Sequence, residues 1–158
     1  DFVESYAQIV LKKILTFEPT GYVDLMSPAG VGIASVVYNY DGDVYASDES
    51  RMLAETGDKK FKLGNVLTDG YDNIFLGETL LDTVEESFSK SMPLCEECAF
   101  EEYCGADPVY HYATQGDIVG HKAFSGFCEK NITIFRFLLD LMDKDPEIYK
   151  ILRRWALR

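Results

Sequence analysis

The chain has 158 residues, of which 47% are hydrophobic, and its formal net charge is −12 at pH 7. This length suffices for one sizeable hydrophobic core, so one folded unit is the default expectation. The negative charge disfavours nucleic acid as a partner, because binding to a phosphate backbone depends on clustered Lys and Arg. No apolar run reaches the roughly 18 residues that a membrane span needs, so no membrane partner is expected. Neither a leader nor an initiator Met precedes Asp1, which predicts a cytoplasmic chain that is part of a longer protein.

The first forty residues or so predict a helix, a loop and a hairpin. Apolar residues recur at helical spacing over 2–15, which indicates an amphipathic helix that ends before Pro19. Three glycines and a proline within 21–32 predict a loop. The run over 33–40 is rich in β-branched and aromatic residues, and a second short run follows Gly42. This pattern is typical of two antiparallel strands that meet at Gly42.

Shorter elements are predicted after the hairpin. Residues 48–55 favour a short helix with Asp48 as a possible N-cap, and 61–66 favours a brief strand. Apolar residues at helical steps predict another helix over 79–89, which ends shortly before Pro93.

Two helices are predicted near the end of the sequence. The apolar stripe over 129–142 is too wide for a fully exposed helix, so this helix is expected to pack on the core. Asp145 followed by Pro146 is typical of an N-cap and a first helical residue, and apolar residues continue at helical spacing to Trp155. The predicted fold class is therefore α+β, with a small antiparallel sheet, a cysteine-rich segment and flanking α-helices.

All four cysteines lie between Cys95 and Cys128, as a C-x2-C step to Cys98, then Cys104 five residues later, then Cys128. Cysteine number alone leaves three options: two disulfides, a zinc site or an iron–sulfur cluster. Disulfides are disfavoured because the chain is long enough to fold without them and carries no signal peptide. A zinc site usually has two C-x2-C knuckles or a Cys/His pair, and one such step is present here.

Two histidines and an aromatic segment lie among the cysteines. His111 and His121 could serve as metal ligands or in proton transfer. We expect them instead to be satisfied surface or core groups, because four thiolates already complete a tetrahedral set and no nucleophile or paired acid is identifiable beside them. The tyrosine-containing segment 108–117 could line a peptide groove; the interpretation that we favour is that its tyrosines cover the metal centre and Gly116 makes a turn.

The spacing C-x2-C-x5-C-G with a distant fourth cysteine, joined to the hairpin sequence Tyr38-Asn39-Tyr40-Asp41-Gly42-Asp43-Val44-Tyr45, resembles the SPASM domain of radical SAM peptide-modifying enzymes. The resemblance spans most of residues 21–131. Four segments are similar in particular to the radical SAM maturase of the His-Xaa-Ser peptide system: 38–47, 48–53, 63–66 and 107–128.

The resemblance implies a domain plan: a helix at 1–20 that follows an upstream barrel, a cluster-binding domain at 21–131, and C-terminal helices at 132–158. In such enzymes the barrel binds S-adenosylmethionine and carries a C-x3-C-x2-C motif, which this sequence lacks. The parent protein would be a radical SAM oxidoreductase, and this chain alone is expected to be inactive. The implied partners are the substrate peptide and the upstream radical SAM domain.

The resemblance also implies a ligand set. The family pattern has seven cysteines for two auxiliary 4Fe-4S clusters, and the positions of the first cluster are occupied here by Ala29, by Ser47 and by Asp107 or Pro108. Oxygen ligands suit an iron–sulfur centre poorly, so we expect neither Ser47 nor Asp107 to keep a first cluster. The complete ligand set of the second cluster is present: Cys95, Cys98, Cys104 and Cys128.

One 4Fe-4S cluster is therefore expected, with zinc as a substitute that the same thiolates could bind. Four thiolates leave no open iron position, so its expected role is electron transfer, positioning of the substrate peptide or structural clamping. The alternative from another functional class is a non-catalytic interaction module that uses the same four sulfurs for structural zinc.

Overall fold

The structure is a computed structural model and describes residues 2–16 and 18–158. Within these residues it has seven α-helices and one three-stranded antiparallel sheet, so the α+β prediction is confirmed. None of the described helices combines the length and the apolar character that crossing a membrane requires. The helices are α1 (Ser5–Thr16), α2 (Asp48–Glu55), α3 (Tyr71–Phe75), α4 (Glu78–Glu86), α5 (Pro108–Gln115), α6 (Gly126–Lys144) and α7 (Pro146–Ala156). The strands are β1 (Val37–Tyr38), β2 (Asp43–Tyr45) and β3 (Lys62–Asn65).

The predicted hairpin is confirmed as β1 and β2, with Tyr38 opposite Val44. Its turn contains Gly42 at φ +86°, and a Cβ there would lie 2.8 Å from Oδ1 of Asn65. A residue with a side chain would meet both backbone strain and a clash at this position. Strand β2 is the central strand and is buried along its whole length, because β3 pairs with its other edge.

Asp43 fixes β2 to β3 through a buried carboxylate that is only 4% exposed. Its oxygens lie 2.5 Å from Nζ of Lys62 and 3.1 Å from Nζ of Lys59, and they accept a hydrogen bond from Nδ2 of Asn65 at 2.8 Å. The hydrogen bond from Lys62 is the largest cause that holds the pKa of Asp43 far below its usual range. The buried charge is thus compensated on several sides, as burial of a carboxylate requires.

The N-cap predicted for α2 is wrong by one residue. Ser47 caps the helix: its hydroxyl accepts a hydrogen bond from the Ser50 amide at 3.2 Å, and the Ser50 hydroxyl accepts one from the Ser47 amide at 2.8 Å. Asp48 is already helical and pairs instead with Arg51 at 2.9 Å. This reciprocal capping box satisfies two amides that the first helical turn would otherwise leave without partners.

Helix α5 is not predicted from the sequence, because 108–117 has the composition of an aromatic segment that ends in a turn. Its carboxylate cap Asp107 accepts a hydrogen bond from the Tyr110 amide at 2.9 Å, and Pro108 occupies the first helical turn. The same combination of Asp and Pro correctly predicts the start of α7 at Asp145. The signal for α5 was therefore present in the sequence, and the turn predicted at Gly116 is the end of this helix.

The buried apolar residues form two cores. The first, called here the sheet core, surrounds the sheet and reaches α4 and α5; the second, called the helical core, joins α1, α6 and α7. Cys95 packs against the sheet core and Cys104 packs against the helical core. The cysteine segment therefore lies where the two cores meet.

Candidate metal centre

The four cysteines line one cavity of about 570 Å³. They come from three separate stretches of chain, and all four are free thiols, none paired in a disulfide. The structure thus brings every cysteine of the predicted ligand set to the wall of one space. The other residues of its wall are Ser89, Leu94, Phe100, Glu101, Gly105, Lys122, Ala123, Phe124, Ser125, Gly126, Glu129 and Ile132.

Successive tight turns present the first two cysteines. The amide of Cys95 donates to the carbonyl of Met92 at 3.1 Å, and the amide of Cys98 donates to the carbonyl of Cys95 at 2.9 Å. Leu94 has a positive φ of 68°, which few residues with a side chain adopt. This backbone places Cys95 and Cys98 on the same wall, as the C-x2-C spacing predicts.

Cys104 and Gly105 are pressed against the loop that precedes the hairpin. A Cβ on Gly105 would lie 2.6 Å from Cα of Leu25, and it would also clash with the carbonyl oxygen of Asp24. Both obstacles are main-chain atoms, so no side-chain rotation could relieve them. Glycine after the third cysteine is therefore a packing requirement, since only glycine lets the two backbones come so close.

Helix α1 contacts the backbone at Cys104 from outside the cavity wall. The ammonium group of Lys13 donates to the carbonyl oxygen of Cys104 at 2.8 Å and also to that of Leu25. It joins the cysteine backbone to the loop that Gly105 contacts. Burial lowers the pKa of Lys13, whereas the nearby Cys104 acts in the opposite direction.

Cys128 lies in the first turn of α6, where the helix dipole favours negative charge. Its amide donates to the hydroxyl of Ser125, the N-cap, at 3.2 Å. His111 holds that cap from α5: its Nε2 lies 2.8 Å from the Ser125 hydroxyl and its Nδ1 lies 2.7 Å from the carbonyl oxygen of Asp107. Because a carbonyl oxygen can only accept, we assign the ring proton to Nδ1.

Neither histidine lines the cavity. His111 is 1% exposed, and both ring nitrogens have partners, so it is a satisfied core group; burial lowers its pKa to about 4. His121 is exposed and lies against the ring of Phe124, with 4.7 Å between the ring centroids. Both positions agree with the expectation that the two histidines are core or surface groups.

Burial is the main influence on the pKa values of three of the four thiols. It raises the pKa of Cys104 to about 11 and also raises the pKa values of Cys95 and Cys128. Lys122, 7% exposed, also lines the cavity and donates to the carbonyl oxygen of Val119; its charge opposes the rise at Cys95. The raised pKa values favour the protonated thiols of Cys95, Cys104 and Cys128, so a metal centre would have to displace those protons on binding.

The prediction that the tyrosines of 108–117 cover the cysteines is wrong, because no residue of this segment lines the cavity. The segment is α5 and packs on the sheet core, where Tyr112 meets Phe61 edge to face at 5.5 Å. The aromatic residues of the cavity wall are Phe100 and Phe124. No sequence pattern singles out these two residues, because helix α5 lies between them in the chain.

The three positions at which the resemblance expects other cysteines have structural roles. Ala29 is buried in the sheet core, and its amide donates to the Ser87 hydroxyl at 2.9 Å. Ser47 caps α2 and Asp107 caps α5.

In the part of the chain that the structure describes, no three His, Cys, Asp or Glu side chains converge closely enough to hold a single metal ion.

No family model, curated protein or solved structure matches this chain. The chemistry of the site therefore has to be argued from its own residues. Four partly buried thiols, one buried ammonium group and a helix N-terminus around one cavity form an environment suited to a thiolate-ligated centre with negative charge.

Proposed function

We propose that this chain is the auxiliary cluster domain of a radical SAM maturase that modifies a ribosomally made peptide, with one 4Fe-4S cluster bound by the four cysteines. The observation that carries the proposal is that all four thiols, from three stretches of chain, line one cavity. The enzyme family is supported by the cysteine spacing and by the hairpin sequence that precedes it.

The size of the space supports a cluster over a single zinc ion. Zinc binds four thiolates at about 2.3 Å, which places tetrahedral sulfurs roughly 3.8 Å from one another. The thiols here instead line a cavity of about 570 Å³, and no three ligand side chains among the described residues converge closely enough for one ion. A cluster of several iron and sulfide atoms occupies more space than one ion and fits thiols that are spread over the walls.

The chain's own residues would supply charge compensation as well as ligands. The four thiolates bring negative charge into a partly buried site, and Lys122 lies on the same wall. The first turn of α6 carries Cys128 at the positive end of the helix dipole. With every iron position ligated by protein, a bound cluster would transfer electrons or act as a structural clamp rather than bind substrate directly.

The clamp role is supported by the position between the two cores. Cys95 packs on the sheet core and Cys104 on the helical core, so a centre bound to both would connect them. Closing long chain segments through a metal centre stabilises the folded state by restricting the unfolded chain. The proposal therefore includes a structural contribution that does not depend on electron transfer.

The proposal extends to the parent protein and its partners. The barrel that binds S-adenosylmethionine and holds the catalytic cluster would belong to another part of that protein, since C-x3-C-x2-C is absent here. The partners would be this barrel and the substrate peptide, in the cytoplasm. Alone, the chain should bind a cluster and should not cleave S-adenosylmethionine.

Anaerobic reconstitution with iron and sulfide, followed by metal and acid-labile sulfide analysis, tests the cluster. We expect about four irons and about four sulfides per chain. Ser89 lines the cavity without a thiol, so Ser89→Ala should keep the full iron content and serves as the control. One tightly bound zinc per chain without sulfide would contradict the proposal and favour the structural zinc module.

The handling of the sample matters for this distinction. Because a closed set of four thiolates suits either metal, exposure to air could exchange a cluster for zinc, and zinc in an aerobic preparation decides nothing. Cys98→Ser should weaken either centre, so that variant tests the ligand but not the identity of the metal. Iron and sulfide content after strictly anaerobic work is therefore the deciding measurement.

A further inference from the structure

A buried amide lies beside the sulfur of Cys104. Asn131 is 1% exposed and lies three residues after Cys128 on α6, so both face the same side of the helix. Its Nδ2 donates to Sγ of Cys104 over 3.8 Å, within the longer range of hydrogen bonds to sulfur. The amide therefore connects the helix that carries one predicted ligand to the sulfur of another.

Tyr6 on α1 fixes the orientation of this amide. Its hydroxyl donates to Oδ1 of Asn131 at 2.9 Å, and its ring meets that of Tyr22 edge to face at 5.6 Å. Burial is the main cause that raises the pKa of Tyr6 to about 12, so the phenol keeps its proton and remains a donor.

Only one amide orientation suits a metal-bound Cys104. A thiolate carries no proton and can only accept, so the NH₂ group of Asn131 has to face the sulfur. The amide oxygen then faces Tyr6, which has a proton to give. The chain of bonds from Tyr6 through Asn131 to Cys104 thus has one consistent direction.

We propose that Asn131, oriented by Tyr6, is a positioning residue whose hydrogen bond to Cys104 raises the reduction potential of the cluster; this inference rests on the proposed function. Reduction adds one electron, and therefore one negative charge, to the cluster and its thiolates. A donor to the sulfur stabilises the reduced state more than the oxidised state, as hydrogen bonds to cluster sulfurs do in general. Burial keeps water from replacing the donor.

The test is a redox titration of the reconstituted chain, with dithionite as the electron source and the signal of the reduced cluster followed by electron paramagnetic resonance. Asn131→Leu removes the donor at similar side-chain volume. We expect the equilibrium constant for reduction of the cluster to fall about tenfold, which lowers the reduction potential by about 59 mV for one electron. Tyr6→Phe keeps the amide but removes the hydrogen bond that orients it. We therefore expect a smaller fall of the same equilibrium constant, about threefold.

A double variant and a control separate this role from a merely structural one. Tyr6 acts only through the amide, so adding Tyr6→Phe to Asn131→Leu should cause no further shift. Tyr22→Phe changes a neighbouring phenol that contacts Tyr6 through its ring, and its potential should equal that of the unaltered chain. A purely structural role would lower stability or iron content and leave the potential of the remaining clusters unchanged.

The outcomes also separate this inference from the proposed function. If the unaltered chain binds about four irons and both single variants share its potential, the hydrogen-bond inference fails and the cluster assignment stands. If Asn131→Leu does not fold, the titration of Tyr6→Phe decides alone, and an unchanged potential overturns the inference. If the unaltered chain takes up zinc without sulfide, the proposed function fails and this inference fails with it.

Discussion

Replacing Gly105 by alanine tests how Cys104 is held. The added Cβ would lie 2.6 Å from Cα of Leu25 and 2.7 Å from its carbonyl carbon, well inside ordinary contact distance. Overpacking typically costs about 1–3 kcal/mol, and we expect the upper end because the obstacles are backbone atoms that cannot rotate away. Gly105→Ala should therefore lower the free energy of unfolding by about 3 kcal/mol.

The matched control is Gly70→Ala. Gly70 precedes α3 with an ordinary φ of −76°, and nothing lies within 4 Å of the position that its Cβ would occupy. The same chemical change there should cost less than about 1 kcal/mol, the loss of a weak N-cap preference. The comparison isolates the close approach at Gly105 from the general effect of replacing glycine.

Urea unfolding of the metal-free chain, followed by circular dichroism, measures both variants. We also expect Gly105→Ala to bind less iron on reconstitution, because relief of the clash would move Cys104 relative to the other three thiols. Equal unfolding free energies for the Gly105 and Gly70 variants, with full iron content in both, would refute the argument that this backbone contact positions the cysteine.

Three further predictions concern stability away from the cavity wall. The pKa of His111 falls from 6.5 in the unfolded chain to about 4 in the folded chain. Its contribution to the free energy of unfolding is therefore fully present above pH 6.5 and is lost as the pH falls from 6.5 through 4. As the pH is lowered from 6.5 to 4, the free energy of unfolding should fall by about 3 kcal/mol more in the unaltered chain than in His111→Gln. Parallel curves of unfolding free energy against pH for the two proteins would contradict this. The folded chain lowers the pKa of Asp43. Its contribution to the free energy of unfolding is therefore present above the unfolded value of 3.8 and is lost as the pH falls through the lower folded value. Asp43→Asn should cost about 2 kcal/mol at pH 7 and much less near pH 2, as measured with urea at both values; equal stability at pH 7 would refute the compensated buried charge. Ser47→Ala should cost about 1 kcal/mol without changing the iron content, whereas a loss of iron would indicate a ligand at Ser47.

Local chemistry explains most of what the sequence predicts correctly. The hairpin follows from Gly42 between two β-rich runs, and the start of α7 follows from Asp145 and Pro146. Helix α5 has the same start signal, but its aromatic composition favours a covering segment instead. Helix α3 has five residues, too few for a periodic pattern to show.

The cysteine spacing identifies the candidate ligands but not the residues around them. Asn131 had a sequence signal, because it follows Cys128 at one helical turn. Lys13 and Tyr6 had no such signal. They lie on a helix about ninety residues before Cys104, where Lys13 contacts the Cys104 carbonyl and Tyr6 contacts the Asn131 amide. Such contacts depend on how α1 packs on α6 and α7, which composition and periodicity do not specify.

The contacts of α1 with Cys104 and with the Asn131 amide affect how shortened versions of this protein should be designed. A version that starts at residue 21 would retain every cysteine and would look intact by motif inspection. It would nevertheless lack the ammonium group that bridges two backbone segments and the phenol that aligns the Asn131 amide. It would also expose the apolar surface of α6 and α7 that α1 covers. Versions made for cofactor studies should therefore include the whole first helix together with Glu4, whose carboxylate accepts hydrogen bonds from the Tyr6 and Ala7 amides.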